Sequence, residues 1–299
     1  MTGQTSESMS GKEPITAPSL DRTSSIAPTS IIQNPFIALK GTDPRRWPQD
    51  LTIDKEICSP LTDLPLPRGN VPKQIPGTPR LCTSFFVDRI RTAQQTGDTR
   101  QTLRYIPELL DQTVRWLCKL KEVYFECGVT GLLVVADDTL ETATCCTGAA
   151  IDAISIYHYI DAHHRHAFRT GKELFDVEPP YTEQDEDHID IYDLSELLLL
   201  AQNHMYSKVP TDWNNGNYTV HIIYPTMALT QLIVITAHIP HETALAVQEG
   251  QPTMKMIKLT RDIIDIDLQA DEAQFMNTDL FKVLVGMVEQ GIKVANMVP

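Results

Sequence analysis

The rhythm of apolar and polar positions changes near residue 80 and divides the chain in two. Before that point no apolar period emerges: residues 1–80 hold 12 of the 20 prolines, and residues 1–40 hold 12 Ser and Thr. Prolines at 60, 65, 67, 72, 76 and 79 exclude a helix from Cys58 to Arg80 and favour extended chain. We therefore expect an extended, low-structure N-terminal arm over 1–80. Its apolar side chains, Ile31, Phe36, Ile37, Leu39, Trp47, Leu51, Ile53 and Ile57, are more than a free linker needs. They mark the arm as a partner-binding segment that docks on a neighbouring surface.

From Leu81 the pattern is helical. Four times an Asp precedes Glu or Gln by three residues ahead of an apolar-periodic stretch: Asp98/Gln101, Asp138/Glu141, Asp193/Glu196 and Asp271/Gln274. This is the spacing of a helix N-cap with a reciprocating side chain at N3. It predicts helices over Ser84 to Gln95, Thr99 to Cys127 with a kink or break at Pro107, Asp138 to His166, and from Asp193 onward. Gly131 to Ala136 reads as a short buried strand. Glu173 to Ser207 carries ten acids and no Lys or Arg, beginning with an exposed loop over Glu178 to Asp187.

In the last third the period becomes two. Tyr218, Val220, Ile222 and Tyr224 alternate with Thr219, His221 and Ile223, and Leu229 to Ile239 follows a turn, which predicts an antiparallel hairpin. Thr253 to Leu259 and Ile263 to Leu268 add strands, and Asp271 to Met297 adds a closing helix. The fold class expected is α+β: a predominantly helical single domain over 81–299, with a small antiparallel sheet in the C-terminal third.

Charge narrows the partners. The formal net charge is −14, and residues 1–80 carry nine basic and eight acidic groups, so residues 81–299 carry 16 and 31, a balance of −15. Such a domain repels phosphate backbones and anionic membranes, so neither nucleic acid nor membrane is expected as a direct partner. The six cysteines follow a polar start, Met1-Thr-Gly-Gln-Thr-Ser, and read as free thiols of a cytoplasmic protein.

Candidate chemistry is sparse. No phosphate-binding glycine loop, dinucleotide fingerprint or nucleophile elbow occurs. His158, Asp161, His163, His164 and His166 tempt a zinc reading, since on a helix His158, Asp161 and His164 share one face. Zinc usually draws ligands from separated elements, so a polar helix end is preferred. Cys145-Cys146 reads as core filling. His238-Ile-Pro-His241-Glu242 has the wrong order for a zincin, and Pro240 makes it a strand end and turn. Asp262, Asp265 and Asp267 read as a solvated strand edge. No catalytic residue, metal or cofactor is assigned.

The function expected is thus a non-enzymatic structural or interaction subunit of a larger multi-protein assembly, binding other protein subunits through its arm. A viral capsid is one such assembly, which would place the chain in the virion. Two alternatives stand beside it: an enzyme with a site near His158 and Asp161, and an acidic adaptor of a cellular complex. Under the first reading, removing residues 1–57 leaves a folded domain.

Overall fold

The alternation from Tyr218 to Tyr224 does form the expected hairpin, but that hairpin lies at the centre of a much larger sheet. The computed structural model describes residues 30–48, 51, 57–72, 83–127, 132–140, 147–161, 164–166, 170, 189–211, 214–268 and 272–298. In chain order the strands are β1 (Ile31–Gln33), β2 (Thr62–Asp63), β3 (Phe125–Cys127), β4 (Leu133–Val135), β5 (Asp138–Leu140), β6 (Thr147–Ile151), β7 (Ile154–Tyr159), β8 (Asn217–Pro225), β9 (Gln231–Pro240), β10 (Thr253–Lys255) and β11 (Lys258–Asp265). The helices are α1 (Ser84–Thr96), α2 (Thr99–Leu120), α3 (Ile191–Tyr206), α4 (His241–Glu249), α5 (Glu272–Phe275) and α6 (Asp279–Ala295).

Seven strands form one mixed sheet in the order β2-β11-β9-β8-β7-β6-β3. The β2/β11 and β7/β8 pairs are parallel and the others antiparallel. Two small sheets, β1/β10 and β4/β5, complete the strands. Of the described residues 44% are helical and 27% are in strands. This corrects the expected fold class, a predominantly helical domain with one small antiparallel sheet.

The departure is largest where a helix was expected from Asp138 to His166. That stretch instead supplies β5, β6 and β7. Two-residue turns reverse the chain at Ala136-Asp137 (φ 50° and 65°) and Asp152-Ala153 (φ 47° and 65°). Positive φ at both central residues is the turn geometry that matches strand twist. Asp138 therefore opens a strand and caps nothing.

The other caps divide. Asp98 accepts from the Gln101 amide at 3.0 Å and starts α2, which runs through Pro107 without a break and ends at Leu120, so Phe125–Cys127 is strand β3. The cap of α3 is Asp190, three residues before Asp193, and accepts from the Tyr192 amide at 2.9 Å. The closing helix is split: α5 is one turn, and Thr278 caps α6 by accepting from Phe281. Pro240 ends β9, and α4 follows it directly where only a turn was expected.

The sheet is buried on both faces. One core joins Val220, Ile222, Ile233 and Ile235 to α3 and α4; the other joins Ile223, Leu232 and Val234 to α1, α2 and α6. The described part of the arm is built into this body. β1 pairs with β10, and Asn34 donates from Nδ2 to the carbonyls of Ala246 and Gln251, each at 2.9 Å. Phe36, Leu39, Trp47, Leu51 and Ile57 are buried in the α3 core.

Further on, the chain runs along β11. The Ile257 amide donates to Ile57 at 2.9 Å, Ser59 to Ile257 at 2.8 Å and Leu64 to Arg261 at 2.8 Å. An edge strand is thereby covered by the chain's own backbone. Arg68 then bridges Asp262 at 2.6 Å and Asp279 at 2.5 Å, tying arm, sheet and α6 together. Asp262 is accordingly buried and paired, correcting its reading as a solvated edge group; Asp265 accepts from Gln231 Nε2 at 2.7 Å. Among the described residues no helix is long and apolar enough to cross a membrane.

Candidate functional site

The densest group of chemistry-bearing side chains lies between β7, the 164–166 helical turn and the N-terminal half of α3. Strand alternation turns His158 toward α3, in register with Gly148 on β6 and Ile222 on β8. A Cβ on Gly148 would come within 2.9 Å of the His158 ring and 2.8 Å of the Tyr157 carbonyl, so only glycine leaves room for this imidazole. His158 Nδ1 lies 2.9 Å from Glu196 Oε2, and both side chains are 0% exposed. With the carboxylate charged, Nδ1–H donates to it.

One helical turn before Glu196, Asp193 receives Arg165 in a two-pronged pair, Nε to Oδ1 at 2.9 Å and Nη2 to Oδ2 at 2.7 Å. The guanidinium sits 4.7 Å from the centroid of the Tyr224 ring on β8. Burial works against the Arg165 charge, but the Asp193 carboxylate and its hydrogen bond, with Asp190 and Tyr224, outweigh it and raise the guanidinium pKa. At the end of β7, Asp161 Oδ1 accepts from the His164 amide at 3.0 Å and meets His164 Nδ1 at 2.7 Å. The His164 ring stands edge-on to Tyr159 at 6.0 Å. Nε2 of His158 and of His164 is buried without a hydrogen-bond partner among the described residues.

A second set of histidines spans the neighbouring strands. His204 of α3 donates from Nε2 to the Ser155 carbonyl at 3.1 Å and lies edge-on to Tyr218, whose hydroxyl meets His241 Nδ1 at 2.8 Å. His221 Nδ1 pairs with the Thr236 hydroxyl at 2.8 Å, and His238 Nδ1 with that of Thr219 at 3.2 Å. Burial pulls His204 down to about 4; burial, then the charges of His238 and His204, pull His221 down to about 3. Both imidazoles are neutral at pH 7.

Several sequence expectations change here. The histidine stretch is no helix end: His158 is in a strand, His164 and His166 are in a separate turn, and His163 lies outside the described residues. Asp193 and Glu196 are expected from sequence only as a helix-cap pair, not as buried partners of Arg165 and His158. A signal existed: Asp193 and Glu196 are set among Ile191, Leu194, Leu197 and Leu198, and buried acids are almost always paired. Among the described residues no three His, Cys, Asp or Glu side chains are grouped to hold a metal ion. Cys145-Cys146 and the acidic loop from Glu178 to Asp187 lie outside the described residues.

The eight arm anchors separate by position. Phe36, Leu39, Trp47, Leu51 and Ile57 fill the chain's own core; Ile31 is 73% exposed and Ile37 40%; Ile53 lies outside the described residues. Comparison with protein-family models, with curated proteins and with solved structures finds no match to this chain.

Proposed function

We propose that the chain is a non-enzymatic interaction subunit of a larger protein assembly. The observation that carries this reading is closure: the groups best suited to catalysis are spent on one another inside the fold. His158 and Glu196 are fully buried, and Arg165, Asp193, Asp161 and His164 pair around them. Breaking one such buried pair costs roughly 3–5 kcal/mol, which suits a strut better than a turnover site. The apolar side chains at the surface, Ile31 and Ile37 on the arm among them, are the complement: they offer area to another subunit.

Replacing His158 and Glu196 together by Leu tests the strut. The double variant is expected to stay folded and to keep the assembly state of the unmodified protein, read by light scattering. A variant that folds with an unchanged melting temperature but loses a bound metal or a catalytic activity would contradict the reading.

A further inference from the structure

Three arginines on the outer side of α1 and α2 stand over aromatic rings. Arg89 lies 5.1 Å from the centroid of Phe85, Arg104 5.9 Å from that of Tyr105, and Arg115 5.2 Å from that of Phe125 on β3. Phe85 and Tyr105 join the first two pairs edge-on at 6.4 Å. Phe85 is 53% exposed, and the side chains of Arg104 and Arg115 are 62% and 50% exposed. Arg104 and Arg115 stand three turns apart on α2, so they share one helix face at a spacing of about 16 Å.

A ring orders a guanidinium without taking the place of a carboxylate on its N–H fork. Those forks are largely unspent. Arg89 pairs with no carboxylate among the described residues; its neighbour Asp88 holds Arg91 at 2.9 Å instead. Arg104 reaches Glu108 only through Nε at 3.7 Å, and Arg115 spends only Nη2, on Asp111 at 3.1 Å and the Cys127 sulfur at 3.6 Å. The surrounding charge has the same sign. Residues 84–121 carry seven basic and four acidic groups, a balance of +3 within a domain that stands at −15. Near physiological salt, charges beyond about 8 Å are largely screened, so a ligand at this face meets the local +3.

We infer that this face binds an acidic, extended segment of a separate partner protein. An extended chain rises about 3.3 Å per residue, so carboxylates about five residues apart reach Arg104 and Arg115 together. There each guanidinium can fork a carboxylate, while an aromatic side chain of the segment covers Phe85. Nucleic acid fits less well. Phe85 and Tyr105 stand at 89° to one another and cannot take two successive bases in parallel, and Asp88, Glu108 and Asp111 lie among the arginines, where they repel phosphate. The inference rests on reading the chain as an assembly subunit and names the chemistry of one partner.

Fluorescence anisotropy of the full-length protein at moderate salt tests it, with a labelled twelve-residue peptide of alternating glutamate and tyrosine as the probe. The parent should bind this peptide saturably. Arg104→Glu with Arg115→Glu should weaken binding by about tenfold or more, since like charges then face one another. Arg104→Lys with Arg115→Lys keeps the charge but loses the fork and should still weaken binding, by about threefold. Phe85→Ser, which alters no charge, should weaken it as well. Lys40→Glu with Lys258→Glu makes the same change of charge at exposed positions elsewhere and should leave binding unchanged. No saturable binding by the parent overturns the inference, as does equal weakening in the two glutamate variants or tighter binding of a twelve-nucleotide oligothymidylate. Self-association of the parent that is abolished by Arg104→Glu with Arg115→Glu assigns the face to a second copy and overturns the separate partner. Multi-copy complexes in native mass spectrometry leave the subunit reading standing in each of these cases.

Discussion

Gly69 of the arm and Gly286 of α6 meet backbone to backbone. A Cβ on Gly69 would stand 2.7 Å from the Gly286 amide nitrogen, and one on Gly286 would collide with the Pro67 carbonyl oxygen. The Gly69 amide donates to Lys282 at 2.9 Å, so the last part of the arm lies directly on the helix. Gly286→Ala should cost roughly 1–3 kcal/mol, the scale of overpacking in a dense interior. Thermal unfolding measures it. Protease cleavage near residues 67–69, absent in the parent and present in the variant, would show that the arm has lifted.

The arm's anchors make truncation a test of the core. Phe36 and Trp47 touch at 5.5 Å between ring centroids, inside the cluster that also holds α3. Trp47→Ala is expected to cost roughly 3–5 kcal/mol. Removing residues 1–57 should therefore give an unstable or insoluble product, in contrast to the folded remainder expected from sequence. Circular dichroism of the truncated chain decides; a cooperative unfolding transition at the parent's temperature would contradict the packing described here.

Arg165 and Asp193 should show strong non-additivity. Asp193→Asn leaves a buried guanidinium without its counter-charge and should cost roughly 3–5 kcal/mol. The combination Arg165→Met with Asp193→Leu should recover much of that loss, because an apolar pair carries no desolvation penalty. Chemical denaturation of the two singles and the double gives the coupling energy.

Acid should destabilise the protein through its histidines before its carboxylates. His204 and His221 are held near 4 and 3 in the folded state, against about 6.5 when exposed. The unfolded chain then binds more protons than the folded one below that value. Stability from these groups is complete above about pH 6.5 and is lost as pH falls toward 4 and then 3. The paired acids Asp63, Glu242 and Asp279 have lowered values, so their contribution begins to be lost as pH falls through the ordinary carboxylate range near 4 and goes on falling through those lowered values. His204→Gln with His221→Gln should flatten the slope of unfolding free energy between pH 6.5 and 4. An unchanged slope would place the proton uptake elsewhere.

How much of this was legible follows from the kind of burial involved. β8 was readable because Tyr218, Val220, Ile222 and Tyr224 alternate with Thr219 and His221, β9 because an apolar, β-branched run follows the turn after it, and α1 and α2 because Asp98 and a clear apolar stripe announce them. β6 and β7 were not, because both faces are covered, and a strand buried on both sides is apolar throughout like a buried helix. Their turn, Asp152-Ala153, lacks the Asn or Gly that signals such a reversal. The site was half legible. The spacing of Asp193 and Glu196 resembles a capping box, yet the same three-residue step sets both on one helix face. Their partners, Arg165 and His158, are 28 and 38 residues away and reach them only through the fold.

Native mass spectrometry of the purified full-length chain, with metal content read from the same sample, tests the central claim most directly. The account predicts a metal-free protein that forms discrete multi-copy complexes. A monomer carrying one metal ion per chain would contradict it, and would return attention to Nε2 of His158 and of His164, which have no partner among the described residues.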